Sequence, residues 1–241
     1  LIDHKNRSVK LDSSESLEFD YLVVALGSTT NDFGVKGVAD HALGMKTITE
    51  ALKIRSSIMR RFEDLCRIDD STTLSVSVVG GGPTGVEMAG AIAELKKGPL
   101  SSDQQSAASR IHVHLIEAGP RLLPSFSPYL SLRTKKDLEN LGVEVHTEAV
   151  VNEVKTDRII LKDKSTIESH VTIWAAGVKG ESAMAKLRLP IEANRIKVGT
   201  TLQVENYPYI FAIGDIAGAK DSSGRYLPMV APVSMQQGRF V

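Results

Sequence analysis

The chain carries one cysteine, Cys66. That excludes an intrachain disulfide, a C-x-x-C redox pair and a cysteine-rich zinc site. There is no surplus of charge either: 29 basic residues stand against 29 acidic ones, so nothing electrostatic favours nucleic acid or an anionic membrane as a partner. No apolar run approaches the roughly 18 residues that a spanning helix needs. The opening, LIDHKNRSVKL, has neither an initiator Met nor a charged-then-apolar signal segment, and the chain stops at GRFV. Both ends read as cut. What remains is ordinary globular composition, 42% hydrophobic and 24% charged over 241 residues. At about 150 residues per domain, that is one large domain or two intertwined smaller ones.

Short strands are predicted over 9–11 and 21–25, with a polar turn at 12–16 between them. The segment YLVVA is apolar throughout, as a strand covered on both faces would be. A helix over 47–66 opens on the capping box Thr47…Glu50, and its apolar stripe is Ala51, Ile54, Ile58, Phe62 and Leu65. Cys66 follows Phe62 by four residues on that stripe and reads as a buried, inert thiol. A second block starts with a strand over 74–79, then a glycine loop and a small-residue helix over 85–97. The polar stretch 98–110 reads as a surface insertion before a strand over 111–117. Ser127-Pro128 then starts a helix, with Leu130, Leu138 and Leu141 facing one way and Gly142 stopping it. Strands over 143–146, 158–162, 166–168, 171–175 and 209–213 follow, and a terminal helix begins near 233.

One internal echo organises the chain. YLVVALG (21–27) and VTIWAAG (171–177) are both apolar strands ending in Ala-x-Gly. The second has its own glycine loop upstream at 80–85, whereas the first has only 20 residues before it, too few for a strand, loop and helix. Two similar nucleotide-binding domains, one inserted in the other, are the economical inference. The expected fold is therefore α/β and Rossmann-like: a partial outer domain with a connecting helix over 1–71, an inserted domain over 72–180, and a return to the outer domain over 181–241. The outer domain is expected to lack its opening half.

The chemistry gathers at the turns. Gly80-Gly81-Gly82-Pro83-Thr84-Gly85 satisfies G-x-G-x-x-G between a strand and a helix. Gly80 permits the tight turn, Gly82 lets a pyrophosphate approach the backbone, and Gly85 lets helix and strand pack closely. The free amides at the helix start would hold the phosphates. Glu117 ends the next strand, where an acid would receive the adenosine ribose hydroxyls. It lies 32 residues after Gly85 (117 less 85), beyond the usual spacing of about 20, and the 98–110 stretch accounts for the excess. A carboxylate there accepts from a 2′-hydroxyl and repels a 2′-phosphate, which favours NADH over NADPH. The rival is an ordinary strand-end acid, and Arg121 is a nearby cation that could offset the repulsion. Glu87, read as lying in the first helical turn, is either stabilised by the helix dipole or placed beside a nicotinamide, and the sequence leaves both open. His112 and His114 share one face of a strand, but no third ligand lies at a recognisable spacing, so no metal site is expected. The basic runs Arg60-Arg61, Lys96-Lys97 and Lys135-Lys136 read as solvated faces. IFAIGD places Gly214 and Asp215 at the carboxyl edge of a strand, which taken alone could be a turn.

Six segments in this order, YLVVALGSTTNDFG, VVGGGPTGVEMAG, HLIEAGPRLLP, IWAAGV, IFAIGD and LPMVAPVSMQQGRFV, resemble the two-dinucleotide-domain flavoproteins. Within them the chain is similar to the type II NADH dehydrogenases, the non-proton-pumping NADH:quinone reductases. The resemblance implies FAD and NADH as cofactors, with hydride passing from NADH to the flavin and on to a quinone. It implies that Asp215 binds the ribityl hydroxyls of FAD, with Gly27, Gly214 and Ala231 lining the flavin site and Gly177 joining the NADH glycines. Glu87 would match the active-site acid beside nicotinamide and flavin, and Gln236 and Gln237 would lie near the quinone. Many members read Ala-Gln where this chain has Ala231-Pro232, so the glutamine contact expected at 232 is absent. A peripheral seat on the cytoplasmic side of the cell membrane is implied, through regions this chain lacks, the fragment itself being soluble, and room is left for a homodimer. The alternatives are a flavin-dependent reductase of a small iron–sulfur protein and a non-catalytic NAD-binding sensor module. A single cysteine argues against the disulfide-reductase branch, which needs a pair.

Overall fold

The computed structural model describes residues 2–68 and 72–241, apart from the side chain of Asp103. Contacts between Cα atoms divide the chain into two compact units, Thr30–Gly177 and Leu1–Thr29 together with Val178–Val241.

The Thr30–Gly177 unit is built on a five-stranded sheet in the order Ala42–Gly44, Val171–Trp174, Leu74–Val79, Ile111–Ile116, Val143–His146. All of its pairings are parallel. Every residue of Leu74–Val79 is buried, as befits a central parallel strand covered on both faces. The register lines up Thr172, Ser77, His114 and Glu144 across four strands, and Trp174, Val79, Ile116 and His146 two residues further on. Side chains alternate between faces along a strand, so each row belongs to one face and the row between belongs to the other.

The helical face is apolar. Ile54, Ile58, Phe62 and Leu65 of the helix Ile48–Arg67, with Ala89, Ile92 and Ala93 of Pro83–Leu95, pack on Val76, Val78, Val113, Leu115, Val171 and Ile173. The first of these helices starts where the sequence places it. Thr47 Oγ1 accepts from the Glu50 N–H at 3.2 Å, and Glu50 Oε2 accepts from the Thr47 N–H at 2.7 Å, a reciprocal cap that satisfies two otherwise orphaned donors. Across the sheet, an antiparallel ribbon of Val151–Val154, Arg158–Leu161 and Thr166–Glu168 lays Val154, Ile159 and Leu161 against Val79, Ile116 and Trp174. Trp174 Nε1 donates to the Asn31 carbonyl at 2.8 Å.

Several expectations change here. The 98–110 stretch is not a surface loop. It is helical in pieces, Lys96–Leu100, Ser101–Asp103 and Gln105–Ser109, with Leu100, Ala107 and Ala108 in the core. Leu100 and Ala107 lie on separate helical pieces, divided at Gln104 (φ −152, ψ 84), in a string whose polar majority conceals them. The helix Pro83–Leu95 starts two residues before the expected Gly85, because proline suits a first turn whose amides are unpaired anyway. In Pro128–Asn140, Ser127 caps as expected and Leu138 is buried, but Leu130 is 44% exposed and Ser131 takes its place in the interior. Residues 30–68 group with the inserted domain rather than the outer one. Ala42–Gly44 pairs with Val171–Trp174, and the helix that follows packs on the same sheet. The expected boundary at 71–72 borders residues 69–71, which lie outside the described residues.

In the other unit, Leu22–Val24 runs parallel to Tyr207–Ala212, with Ile210, Phe211 and Ala212 opposite Leu22, Val23 and Val24. Gln203–Val204 adds an antiparallel strand. Val24, Ile196, Ile210, Ala212 and Ile216 form the core. Tyr21 and Val23 are exposed, so the strand expected to be covered on both faces is covered only on the face of Val24. The helix Ala231–Phe240 begins two residues before the expected position, with Pro232 in its first turn.

Candidate functional site

The glycine loop is shaped by contacts that only glycine tolerates. Gly80 has φ +115, and a Cβ there would lie 2.5 Å from the Ala175 carbonyl oxygen. A Cβ on Gly85 would overlap the Gly80 carbonyl oxygen, which is how helix and strand come so close. Gly82 differs: nothing lies within 4 Å of where its Cβ would be, so its backbone is bare to an incoming group. Gly82 is the cap of Pro83–Leu95. Pro83 brings no amide, and the amides of Thr84 and Gly85, in the first turn, have no partner within the helix. They form the positive end of its dipole.

Glu117 is part of the same loop. Its Oε2 accepts from the Gly81 N–H at 2.6 Å and its Oε1 from the Gly119 N–H at 2.6 Å. A half-buried carboxylate thus ties the end of Ile111–Ile116 to the glycine turn. Two ionised oxygens offer about four acceptor positions, so capacity remains for hydroxyl donors. This clamp escapes sequence reasoning, because Gly81 is the motif position without an assigned task. Arg121 makes no hydrogen bond or ion pair with Glu117 among the described residues. Its Nη1 donates to the Phe126 carbonyl at 2.8 Å and to Ser131 Oγ at 3.0 Å, and its Nη2 to the Pro124 carbonyl at 2.7 Å.

Glu87 is the fifth residue of its helix, not a first-turn residue as expected. The dipole's influence has fallen off there, so helix-dipole stabilisation does not account for the acid. Its side chain is exposed and makes no hydrogen bond or ion pair among the described residues. Gly177, at φ +154, puts its missing Cβ 3.2 Å from the Phe33 ring, and its carbonyl accepts from the Asn31 N–H at 3.0 Å. Since Gly80 backs onto Ala175 and Ala176, the end of Val171–Trp174 and the glycine loop are neighbours.

The other unit gathers a second set. Asp215 Oδ2 accepts from Ser28 Oγ at 2.5 Å, with Ser28 buried. Gly214, at φ +73, donates its N–H to Gln237 Oε1 at 2.6 Å. Gln237, expected beside a quinone, is therefore a buried side chain of Ala231–Phe240 that holds the turn carrying Asp215. Gln236 is exposed and, with Gln237, Phe240, Leu202 and Leu227, borders a cavity of about 460 Å³. Ala231 opens the helix and is exposed. Gly27, at φ +73, has open space at its missing Cβ, and its carbonyl accepts from the Glu181 N–H at 3.2 Å. A carboxylate fixed by a serine on a glycine turn suits a polyol donor, so these residues fit the ribityl part of FAD.

A third group was not expected. His114 Nδ1 stands 3.3 Å from His146 Nε2 and 3.5 Å from Glu144 Oε2, and His112 Nδ1 is 3.5 Å from Glu144 Oε1. No third ligand lies at a recognisable spacing along the chain, but the structure brings Glu144 and His146 beside His114. The partners come from Val143–His146, aligned by parallel pairing, and no spacing along the chain announces them. Burial pushes the His114 and His146 imidazoles below their ordinary value, while the Glu144 charge acts in the opposite direction.

A parallel sheet with helices on one face and a three-stranded ribbon on the other, and a G-x-G-x-x-G turn clamped by the acid of the next strand, define a Rossmann-like dinucleotide-binding protein of the flavoprotein type. The chain belongs to the pyridine nucleotide-disulphide oxidoreductase family, whose pattern matches residues 1–238. It is 35% identical over 237 residues to the type II NADH:quinone oxidoreductase Ndh of Mycobacterium tuberculosis, covering 92% of this chain and 50% of that protein. With the type II NADH:quinone oxidoreductase of Haemophilus influenzae it shares 31% identity, over 92% of this chain and 54% of the relative. Its structure is similar to that of NDH2 from Plasmodium falciparum in complex with NADH, with a TM-score of 0.82 and 29% identity, over 90% of this chain and 48% of the other. The chain spans about half the length of the curated relatives it matches.

Proposed function

We propose that this chain supplies the NADH site and part of the FAD site of a non-electrogenic NADH:quinone oxidoreductase. The observation that carries the reading is the glycine loop, with Gly82 bare and Glu117 clamped beneath it. The names of the relatives support the same activity.

In this reading Gly80 and Gly85 keep the loop tight, and Gly82, Thr84 and Gly85 present amides to the pyrophosphate, next to Pro83. Gly177 flanks them. Glu117 accepts from the ribose hydroxyls, and its charge repels a 2′-phosphate, while Arg121 is held by the Phe126 and Pro124 carbonyls. Asp215, fixed by Ser28, accepts from the ribityl hydroxyls of FAD, while Gly27, Gly214 and Ala231 allow the flavin close to backbone. Bound FAD would supply the hydride-accepting ring. Glu87 stands as the acid next to the nicotinamide. Gln236 and Gln237 are the quinone-proximal pair, with Gln237 Oε1 also accepting from the Gly214 N–H. Attachment to the cytoplasmic face of a membrane and a homodimer belong to the same reading. Among the described residues, no helix is long and apolar enough to cross a membrane.

The test uses the full-length protein. After removal of free flavin, retained flavin absorbance should bleach on NADH addition and return on addition of a quinone. Absence of flavin, or recovery with an iron–sulfur protein but not with a quinone, would overturn the assignment.

A further inference from the structure

The sheet of the Thr30–Gly177 unit has a polar half-face that the NADH reading leaves unused. Ser75, Ser77, Thr172, His112, His114, Glu144 and His146 alternate with the apolar residues that meet the helices. Polar groups in such a place need partners. Some have them: Ser75 Oγ donates to Glu168 Oε2 at 3.5 Å, and Ser169 Oγ lies 2.8 Å from Thr172 Oγ1. Ser77 does not. It is fully buried, and its Oγ has no hydrogen-bond partner.

We propose that His114, His146 and Glu144 form a binding site for a zinc-class transition-metal dication. Three observations carry this. First, one ligating atom from each of the three side chains lies within 4.8 Å of the others. Metal–ligand bonds of about 2.0–2.1 Å in a tetrahedron put neighbouring ligand atoms roughly 3.3 Å apart, and His114 Nδ1 and His146 Nε2 are 3.3 Å apart. Second, the donor set is two imidazole nitrogens and one carboxylate oxygen, the chemistry that zinc accepts with a fourth position left for water. His112, 3.5 Å from the other Glu144 oxygen, is placed to orient that carboxylate from outside the set. Third, the orphaned Ser77 hydroxyl belongs to the same row as His114 and Glu144, one strand in from His114 on the same face. A water on the metal would give it the partner it lacks.

Val143–His146 is the edge strand of the sheet, and the ion would fasten it to Ile111–Ile116 through side chains from both. No redox step is involved. The role is to hold the edge strand, whose His146 carbonyl accepts from the Glu117 N–H at 2.8 Å.

The experiment uses the full chain, stripped with a chelator and dialysed against Zn²⁺ alone, with Co²⁺ as a spectroscopic substitute. Expected is uptake of a single Zn²⁺, a rise in the unfolding temperature that grows with free Zn²⁺, and a visible Co²⁺ band of four-coordinate type. His146→Gln and Glu144→Gln should each weaken uptake by at least about tenfold. Glu144 is 53% exposed in its side chain, so the Gln variant is expected to fold even if the change at His146 is not tolerated. No Zn²⁺ uptake by the unmodified chain, or undiminished uptake by Glu144→Gln, would overturn the proposal.

Discussion

The two faces of the parallel sheet are cut from the same strands, yet they do different work. Val76, Val78, Val113, Leu115, Val171 and Ile173 face the helices and are buried almost completely. Their immediate neighbours in sequence, Ser77, His114 and Thr172, are as well buried but polar. Burying a Val, Leu or Ile side chain is worth about 1.5–3 kcal/mol each, whereas a satisfied buried hydrogen bond nets about 1 kcal/mol and an unsatisfied group destabilises. The helical face is therefore apolar throughout, whereas the ribbon face is apolar only at Val79, Ile116 and Trp174 and polar beside them. On the ribbon face only Ser77 Oγ is buried without a partner among the described residues, and it is there that the two faces differ most.

The sharpest way to break this comparison is to truncate one residue from each face of the same strand. Ile173→Ala should lower the unfolding free energy by about 2–5 kcal/mol, since the residue has no exposure and the cavity cannot fully collapse. Thr172→Ala, one position earlier, should lose only about 1 kcal/mol, the net worth of its contact with Ser169. Urea titrations followed by the single tryptophan, Trp174, would measure both. Equal losses would show that both faces carry the fold.

Next in size is the acid under the glycine loop. Glu117→Ser removes two charge-assisted bonds to Gly81 and Gly119, each typically worth about 1.5–3 kcal/mol. The variant should bind NADH more weakly, and the preference for NADH over NADPH should narrow by about tenfold, roughly 1.4 kcal/mol. Dissociation constants for both nucleotides, compared before and after the change, separate the two effects. Equal affinities in the parent protein would remove Glu117 from the discrimination. Glu87 is the contrasting acid, exposed and unengaged among the described residues. Glu87→Gln should leave stability within about 0.5 kcal/mol and nucleotide affinity largely intact, while the full-length protein's kcat with saturating quinone falls by about tenfold, ~1.4 kcal/mol. An unchanged kcat would leave Glu87 an ordinary surface acid.

Legibility follows the same division. The strand Leu74–Val79, the capped helix Ile48–Arg67 and the glycine loop were all visible, because alternation, capping and turn chemistry are local. Ala42–Gly44 was not: three residues ending in glycine carry no strand signal, and their partner, Val171–Trp174, lies far along the chain. Glu117 was found as a strand-end acid, but its grip on Gly81 depends on how the loop folds back. The resemblance places Gln237 near the quinone, and no local pattern shows that its Oε1 also accepts from the Gly214 N–H. The histidine group escaped for the most physical reason. Its members lie on two strands joined through a helix, and only the parallel register sets His114 beside Glu144.

The smallest expected effect is the most direct test of the polar face. Ser77→Ala deletes a hydroxyl that is buried and has no partner. Taking such a group out of water without a new bond costs about 1–3 kcal/mol, and alanine removes the group while opening a space of only one oxygen atom. In chelator-treated protein the variant should therefore be as stable as the parent or up to about 1 kcal/mol more stable. Repeating the denaturation with Zn²⁺ present should shrink or reverse that difference, because the parent's hydroxyl would then have a metal-bound water to pair with. A clear loss of stability in the chelated variant would mean that Ser77 already has a partner in solution. The polar face would then be satisfied without a ligand, and the contrast between the two faces would reduce to packing against hydrogen bonding.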